Sequence, residues 1–354
     1  MGPVPFPIKK RKDMASSTDP NAGRDNTPAT PATAEENTMK AIVQYEYGSP
    51  DVLKIEDIDK PAVKDGEVLV RVHSASLHIG DWHMMRGLPY VLRMAFGLRK
   101  PRNSVPGTDV AGNVEAVGKN VTTLQPGDEV FGWCKGAFAE YAGAAENNFL
   151  PKPANLTFEQ AAAVPTSAFA ALHALRDQGN VRPGQKVLIN GTSESVDTFA
   201  MQIAKSFGAE VTSVCSTRNV DMVRSIGADH VIDYTKEDFT QGGQRYDLIL
   251  DNVANHSLQE TRRALTSEGT LIPNSGEGGL GRIVQALVVS LFVGQQGRPF
   301  VSMPKNEDLV VLKELIESGK VTPVIDKTYG LSEVPEAFGY LGEGHARGKV
   351  VITV

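Results

Sequence analysis

Apolar and polar positions follow a clear order between residues 186 and 208, which read KVLINGTSESVDTFAMQIAKSFG. Residues 186–189 form a mostly apolar run typical of a buried strand, and residues 196–207 carry apolar side chains at helical spacing. The order therefore predicts a strand, a tight turn and a helix. In such a unit the first N–H groups of the helix are unpaired and the helix dipole attracts an anion, as in dinucleotide-binding folds.

Strand and helix patterns continue to alternate after this unit. Further short apolar runs lie at residues 211–214, 231–233, 248–251 and 270–272. Such alternation predicts a parallel, doubly wound sheet with helices on both faces, and hence an α/β fold class for this part of the chain.

The first part of the chain has a different pattern. Between residues 39 and 150, short β-rich runs are separated by Gly, Pro and Asp, which predicts a compact antiparallel β domain. A helical pattern and a last strand near the C-terminus match this first part, so we expect the chain to return to it. The predicted boundaries are 39–163 for the β domain, 164–302 for the α/β domain and 303–354 for the return.

Composition narrows the function without naming it. Residues 1–38 are rich in Pro, Thr, Ser, Asn and charge, and are predicted to form a disordered N-terminal tail. The net charge of −6 argues against a nucleic-acid partner. Only two cysteines occur, far apart, which predicts a reducing compartment and no metal site. With no membrane-spanning run or signal peptide in the sequence, we expect a cytoplasmic protein without a membrane partner.

Several segments, read together, carry a family resemblance: MKAIVQYEYGSPDVLKIED, ASLHIGDWHMMRG, PGTDVAGNVEAVG, AAAVPTSAFAAL, GADHVIDY and ARGKVVITV. The chain resembles the medium-chain dehydrogenase/reductase superfamily, in its zinc-independent quinone oxidoreductase-like branch. The resemblance implies a GroES-like catalytic domain beside a Rossmann domain, with the active site between them. It also implies hydride transfer from NADPH to quinones or α,β-unsaturated carbonyls, often in a homodimer.

The turn after the first Rossmann strand departs from the family pattern. Relatives read close to G-A-S-G-G-V-G there, whereas this chain has Glu194, Ser195 and Asp197 in place of three glycines. Their side chains would fill the space of the pyrophosphate, and like charges at about 4 Å repel by on the order of 4 kcal/mol at an effective dielectric of about 20. This predicts an impaired NADPH site. Alternatively, Glu194 turns into solvent and the backbone N–H groups still hold the cofactor.

Other cofactor positions persist by resemblance. Ser216 and Arg218 would hold the 2'-phosphate of NADPH, Tyr234 would stack or hydrogen-bond nearby, and Asn252 would lie near the nicotinamide. Ala254 stands where relatives often have glycine. If NADPH is not bound, these residues are vestigial, and their alternative roles are surface charge and packing.

The candidate catalytic residues are His78, Asp81, Tyr90 and Glu194. His78 stands where relatives commonly have Asn, and it can act as an acid or base near neutral pH. Its alternative role is a structural hydrogen bond, and Asp81 has the alternative role of a helix N-cap. Tyr90 and Trp82 are candidates to line an apolar pocket, although Trp82 also suits a core. Glu194 and Asp197 would serve as acid/base groups if the nucleotide groove is vacant.

Three functions are compatible with these residues. We favour a cofactor-independent, non-redox step, such as cyclisation, isomerisation or conjugate addition, on a small unsaturated carbonyl substrate. The reason is that the turn lacks the glycines that let a backbone bind the pyrophosphate of a dinucleotide. The alternative is an NADPH-dependent reductase of quinones or α,β-unsaturated carbonyls. A weaker alternative is a binding protein without catalysis.

Overall fold

Strands dominate the first third of the chain, and strands alternate with helices after it. The computed structural model describes residues 37–90, 93–191, 195–274, 296–298, 300–344 and 346–354. The predicted disordered tail lies outside these residues except at its last two positions. Thr38 to Val354 belong to one compact unit, and the three predicted domain boundaries stay predictions.

The strands are β1 (Thr38–Val43), β2 (Lys54–Asp59), β3 (Glu67–Leu77), β4 (Asp109–Val117), β5 (Glu129–Trp133), β6 (Tyr141–Ala145), β7 (Phe149–Pro151), β8 (Lys186–Asn190), β9 (Glu210–Cys215), β10 (His230–Asp233), β11 (Tyr246–Asp251), β12 (Leu265–Pro273), β13 (Gln296–Gly297), β14 (Ile325–Gly330) and β15 (Lys349–Thr353). The α-helices are α1 (Ile79–Arg86), α2 (Arg93–Phe96), α3 (Phe158–Ala162), α4 (Pro165–Leu172), α5 (Ser195–Ser206), α6 (Val220–Ser225), α7 (Leu258–Arg263), α8 (Asn306–Glu317) and α9 (Val334–Gly342). Short 3-10 turns cover Pro50–Val52, Glu146–Asn148, Thr217–Asn219 and Leu331–Glu333, and a π-helical turn covers His173–Gln178.

The second half of the chain forms a sheet of parallel strands in the order β10-β9-β8-β11-β12-β13. The central strands β8 and β11 are buried along most of their length because helices cover both faces. The predicted strand–turn–helix unit appears as β8 followed by α5. The predicted Rossmann-like parallel sheet is confirmed.

The first half forms a mostly antiparallel sheet in the order β14-β15-β3-β4-β5-β7, with β6 paired to β3. The last strand, β15, lies antiparallel beside β3, and its Val350 and Ile352 share a core with Leu77, Phe138 and Phe338. The C-terminal residues are therefore part of the first sheet.

Residues 156–175 are mostly helical, and the helical part is divided among α3, α4 and the start of the π-helical turn. Pro165 begins α4, because a proline lacks the N–H that a continuous helix needs at that point. Strand β14 and helix α9 were not predicted, and both precede the last strand.

Candidate active site

Strand β3 leads directly into α1, and this junction positions two of the predicted catalytic residues. His78 has extended backbone dihedral angles and is the N-cap of α1. Asp81 is the third residue of the helix, and its Oδ2 accepts a hydrogen bond from the His78 backbone N at 3.1 Å. The suggestion that Asp81 is itself the N-cap was therefore wrong, although its carboxylate does satisfy an unpaired N–H at the helix start.

The two side chains form a buried pair. His78 is 8% exposed and Asp81 is 2% exposed, and the His78 Nε2 atom lies 3.4 Å from Asp81 Oδ2. The same Nε2 is 2.8 Å from the Thr108 hydroxyl. The other carboxylate oxygen of Asp81, Oδ1, has no hydrogen-bond partner among the described residues. Burial raises the pKa of Asp81, because the charged form loses its hydration.

A second buried ionic pair lies next to the first. Lys349 of β15 and Asp109 of β4 are both fully buried, and Lys349 Nζ donates to Asp109 Oδ2 at 3.4 Å. Burial lowers the pKa of Lys349, and the neighbouring Asp109 and Asp81 carboxylates oppose that shift. Asp109 and Lys349 were not among the candidates from the sequence. The available signal was weak, because each is a charged residue at the start of a strand, where exposure is the usual outcome.

Hydroxyl groups complete the surroundings of this second pair. The Asp109 carboxylate accepts hydrogen bonds from the Thr166 backbone N at 3.1 Å, the Thr166 hydroxyl at 2.5 Å and the Ser76 hydroxyl at 3.2 Å. Lys349 Nζ also donates to the Ser167 hydroxyl at 3.2 Å. Thr166 and Ser167 lie in the first turn of α4, which packs against α5 of the parallel sheet domain. The buried cluster therefore joins both halves of the chain.

Polar side chains gather at the carboxyl ends of β8 and β11, where ligands bind in doubly wound folds. The Asn190 side-chain amide donates to Asp251 Oδ1 at 2.8 Å and to Asn255 Oδ1 at 2.9 Å. Asn274 donates to the Asn252 side-chain oxygen at 2.7 Å. These hydrogen bonds hold the polar side chains in place at the carboxyl ends of the strands. The family resemblance implies that a nicotinamide nucleotide binds at this edge of the sheet.

Asp197 belongs to this polar group and does not lie on the surface. It is the third residue of α5, is 2% exposed, and accepts a hydrogen bond from the Asn252 side-chain amide. Its carboxylate faces Asn252, which directly follows β11. Ser195, the first residue of α5, is also buried.

The predicted 2'-phosphate residues lie directly after β9. Ser216 and Arg218 flank Thr217 there, and none of these three residues carries a carboxylate. A carboxylate in this region would suit the free ribose 2'-hydroxyl of NADH, whereas Arg suits a 2'-phosphate. Tyr234 follows β10 and is 58% exposed. Gly191 keeps a left-handed φ of 109°, as a tight turn after β8 requires. These residues fit NADPH, and their assigned roles stay predictions.

The remaining predicted residues do not join the buried cluster. Tyr90 is 72% exposed, and its ring lies under the Arg93 guanidinium. Trp82 packs against Gly342 of α9, where a Cβ atom would collide with the indole ring, so Trp82 belongs to the core. Glu194 lies outside the described residues. A pocket role for Tyr90 and an acid/base role for Glu194 stay predictions.

Ala254 adopts a conformation that disfavours every residue except glycine. Its φ is 63°, and its backbone N donates to Asp251 Oδ1 at 3.0 Å. We expect the Ala254→Gly variant to gain about 1 kcal/mol in unfolding free energy, because relief of about 1–2 kcal/mol of left-handed strain exceeds the entropic penalty of glycine.

Urea unfolding of Ala254→Gly checks this prediction. The control is Ala145→Gly at an exposed position with a φ of −59°. That variant is expected to lose about 0.5–1 kcal/mol, because it has no strain to relieve. A loss of stability in both variants would contradict the assignment of strain to Ala254.

Comparison with known proteins identifies the class of this fold and site. The family described as "Alcohol dehydrogenase GroES-like domain" matches residues 64–154, and the family described as "Zinc-binding dehydrogenase" matches residues 226–352. The chain belongs to the medium-chain dehydrogenase/reductase superfamily. Among the described residues, no group of three or more His, Cys, Asp or Glu side chains is arranged to hold a metal ion, and independence from zinc stays a prediction.

Relatives within that class are oxidoreductases by name. The chain is 33% identical to the mitochondrial NAD(P)H oxidoreductase RTN4IP1 of Mus musculus, over 91% of this chain and 90% of the relative. It is 34% identical to the 2-methylene-furan-3-one reductase of Solanum lycopersicum, over 89% and 79%. Among solved structures, the quinone oxidoreductase of Coxiella burnetii matches with a TM-score of 0.79 and 30% identity, over 90% and 99%.

These relatives confirm the predicted superfamily and the GroES-like plus Rossmann fold. They favour the alternative reductase function over the cofactor-independent step that the sequence analysis preferred. The predicted impairment of the nucleotide turn stays a prediction, because residues 192–194 lie outside the described residues. The cytoplasmic location also stays a prediction, since the relatives include proteins named mitochondrial and chloroplastic.

Proposed function

We propose that this protein is an NADPH-dependent reductase of quinones or α,β-unsaturated carbonyl compounds, and that its His78–Asp81 pair supplies the proton. The buried pair carries the proposal, because the reduction adds a hydride and a proton to the substrate and NADPH supplies only the hydride. A homodimer, as the family resemblance implies, stays part of this proposal.

Charge balance supports the role of the pair. The Asp109–Lys349 pair has no net charge as an ion pair. A neutral imidazole beside a carboxylate has a net charge of −1, so the His78–Asp81 pair becomes neutral only when it binds one further proton. Loss of that proton would leave one uncompensated negative charge among buried groups, which is strongly unfavourable. The buried surroundings therefore favour the state of the pair that carries this proton, and burial raises the pKa of Asp81 in the same sense.

The orientation of Asp197 supports retention of the cofactor. A carboxylate in the turn would repel a pyrophosphate, but Asp197 is buried in the interior and accepts the Asn252 amide. Its charge is thus partly compensated by a hydrogen-bond donor. We infer that NADPH affinity is weakened by this residue and not abolished.

Titration with NADPH tests the proposed function. Calorimetry with the purified protein is expected to show NADPH binding in the micromolar range. Turnover with p-benzoquinone or methyl vinyl ketone is then expected to consume NADPH in proportion to product. If no binding occurs even at millimolar NADPH and neither substrate is reduced, the reductase proposal is wrong and the cofactor-independent step becomes the better hypothesis.

We expect the Asp197→Gly variant to bind NADPH about tenfold more tightly than the wild type, a change of about 1.4 kcal/mol. Removal of the carboxylate relieves repulsion and frees the Asn252 amide, although a glycine in α5 lowers stability by about 0.5–1 kcal/mol. Calorimetry under the same buffer conditions measures the change.

The control for Asp197→Gly is Asp197→Asn, which removes the charge but keeps the size of the side chain. It is expected to show an intermediate affinity. An equal dissociation constant in the wild type and both variants would show that the charge of Asp197 does not act on the cofactor.

A further inference from the structure

A strongly basic segment follows α1. Between Asp81 and Asp109 the chain contains no Asp or Glu, although the whole chain has 42 of them and a net charge of −6. The basic residues of this segment are Arg86, Arg93, Arg99, Lys100 and Arg102. This local excess departs from the prediction that the folded part of the chain has no large basic cluster.

Large apolar side chains are exposed in the same segment. Met94 is 71% exposed, Leu98 is 72% exposed and Phe96 is 42% exposed. Arg99 and Lys100 beside them are also exposed. Clustered exposed apolar side chains mark an interaction surface, because water contact with them is unfavourable.

The loop of residues 93–102, here called the basic loop, has a defined conformation that keeps these side chains outward. The Arg102 backbone N donates to the Phe96 carbonyl oxygen at 2.8 Å, which closes the tip of the loop. The Tyr47 hydroxyl donates to the Gly97 carbonyl oxygen at 2.6 Å. Gly97 has a φ of 127°, and any Cβ atom there would collide with the Lys100 carbonyl oxygen. The backbone conformation of the loop therefore keeps the side chains of Met94 and Leu98 exposed.

We propose that the basic loop docks this protein on the surface of an anionic lipid membrane. Apolar side chains at the tip enter the boundary between headgroups and acyl chains, and the flanking Arg and Lys side chains contact lipid phosphates. Basic residues near such a surface are attracted to it even when the protein as a whole is acidic, because the interaction is screened within about 10 Å.

Charge and side-chain type favour a membrane over other partners. A nucleic-acid surface uses polar side chains and few exposed aliphatic ones, whereas Met94, Phe96 and Leu98 are apolar. In a two-fold contact of two copies centred on this loop, the basic side chains of both copies would face each other and repel. The attachment is peripheral, since none of the helices described is long and apolar enough to cross a bilayer.

The basic loop lies close in sequence to the candidate site. The basic loop follows α1, the helix that carries Asp81 near its start, with only residues 87–92 between them. This places the loop close in sequence to the proposed proton donor. Docking itself does not depend on the reductase proposal and is tested without catalysis.

Vesicle co-sedimentation with the full chain tests the docking. We expect binding to vesicles of phosphatidylcholine mixed equally with phosphatidylglycerol, and at least tenfold weaker binding to vesicles of phosphatidylcholine alone. Added salt is expected to weaken the binding to the anionic vesicles, because it screens the charges.

Two paired variants locate the binding surface. Arg99→Glu combined with Lys100→Glu is expected to weaken binding at least tenfold, since both charges are reversed. The control is Lys54→Glu combined with Lys320→Glu, which makes the same change in net charge at exposed positions elsewhere. The control is expected to change binding by less than threefold.

A second variant and its control test the contribution of the apolar side chains to membrane binding. Met94→Ser with Leu98→Ser is expected to weaken binding at least fivefold at a salt concentration that screens the charges. Val301→Ser with Met303→Ser, at positions 84% and 65% exposed, is the control and is expected to have little effect.

Three results would overturn the proposal. The first is equal binding of the wild type to anionic and neutral vesicles, or binding to neither. The second is an equal loss of binding in the Arg99/Lys100 variant and the Lys54/Lys320 control, which would show that only net charge matters. The third is a shift from dimer to monomer in the Met94/Leu98 variant by analytical ultracentrifugation, which would make the loop an interface between copies of the chain.

Discussion

The His78→Asn variant is expected to lose two to four orders of magnitude in kcat, because a positioned general acid contributes about 10²- to 10⁴-fold. Asparagine stands at this position in relatives by resemblance, but it cannot deliver a proton and is too short to keep the Nε2 contact with the Thr108 hydroxyl. The measurement is steady-state reduction of an enone under saturating NADPH, with calorimetry to show that NADPH affinity is unchanged.

The pH profile separates this role from a structural one. In the wild type, the rate is expected to fall as pH rises through the apparent pKa of the His78–Asp81 pair, because the donated proton is then missing. Burial raises the pKa of Asp81, so the falling limb lies above the ordinary range of a carboxyl group.

Thr108→Val is the matched control for His78→Asn. It removes the 2.8 Å contact to His78 Nε2 but no titratable group, so a loss of less than tenfold is expected, with an unchanged pH profile. A His78→Asn enzyme with nearly wild-type kcat and the same falling limb would show that His78 is a structural hydrogen-bond donor, as the family's usual asparagine would be.

The Lys349→Met variant is expected to be destabilised by about 3–5 kcal/mol, because removal of one partner leaves the Asp109 carboxylate buried without its counter-charge. Methionine has a similar length and suits an apolar interior. Urea unfolding at neutral pH measures the change.

A double variant tests whether the stability lost in Lys349→Met comes from the uncompensated charge of Asp109. Lys349→Met combined with Asp109→Asn is expected to recover most of the lost stability, since no uncompensated charge remains. If Lys349→Met alone loses less than about 1 kcal/mol, the pair is not the buried ionic contact described here. The single variant is also expected to shift the falling limb of the pH profile upward, because Lys349 lowers the pKa of Asp81.

The two ionic pairs act together in the proposed reaction. The His78–Asp81 pair holds the proton, and the Asp109–Lys349 pair determines how firmly it is held. The Asp81 Oδ1 atom is buried and has no hydrogen-bond partner among the described residues, so a proton on this oxygen would displace no donor. This arrangement suits a reaction in which hydride and proton come from different sources.

Sequence patterns could predict the local elements and the class. The apolar run of β8 and the helical spacing of α5 depend on residues close together in the chain, so their strand and helix were visible without a structure. The resemblance of short motifs was sufficient to place the chain in its superfamily. His78 and Asp81 were candidates from the sequence because both lie in one motif at the end of β3, and their catalytic role stays a prediction.

These sequence patterns could not predict contacts between segments that are far apart in the chain. Lys349 meets Asp109 across 240 positions, and each alone reads as a charged residue in a strand. The position of Asp197 in the turn did not show that the folded chain buries its carboxylate and supplies Asn252, 55 positions away, as a donor. The basic loop was visible as charge, whereas the outward direction of Met94 and Leu98 depends on the hydrogen bonds that fix its backbone.

The sequence by itself thus determined the alternation of strands and helices around β8 and α5, the superfamily, and the candidate residues that share a motif. The tertiary structure decided which charges are buried, which are paired, and which apolar side chains face water. The physical reason is that periodicity and turn chemistry act over a few residues. Burial and charge pairing instead depend on packing between segments that the chain brings together only when it folds.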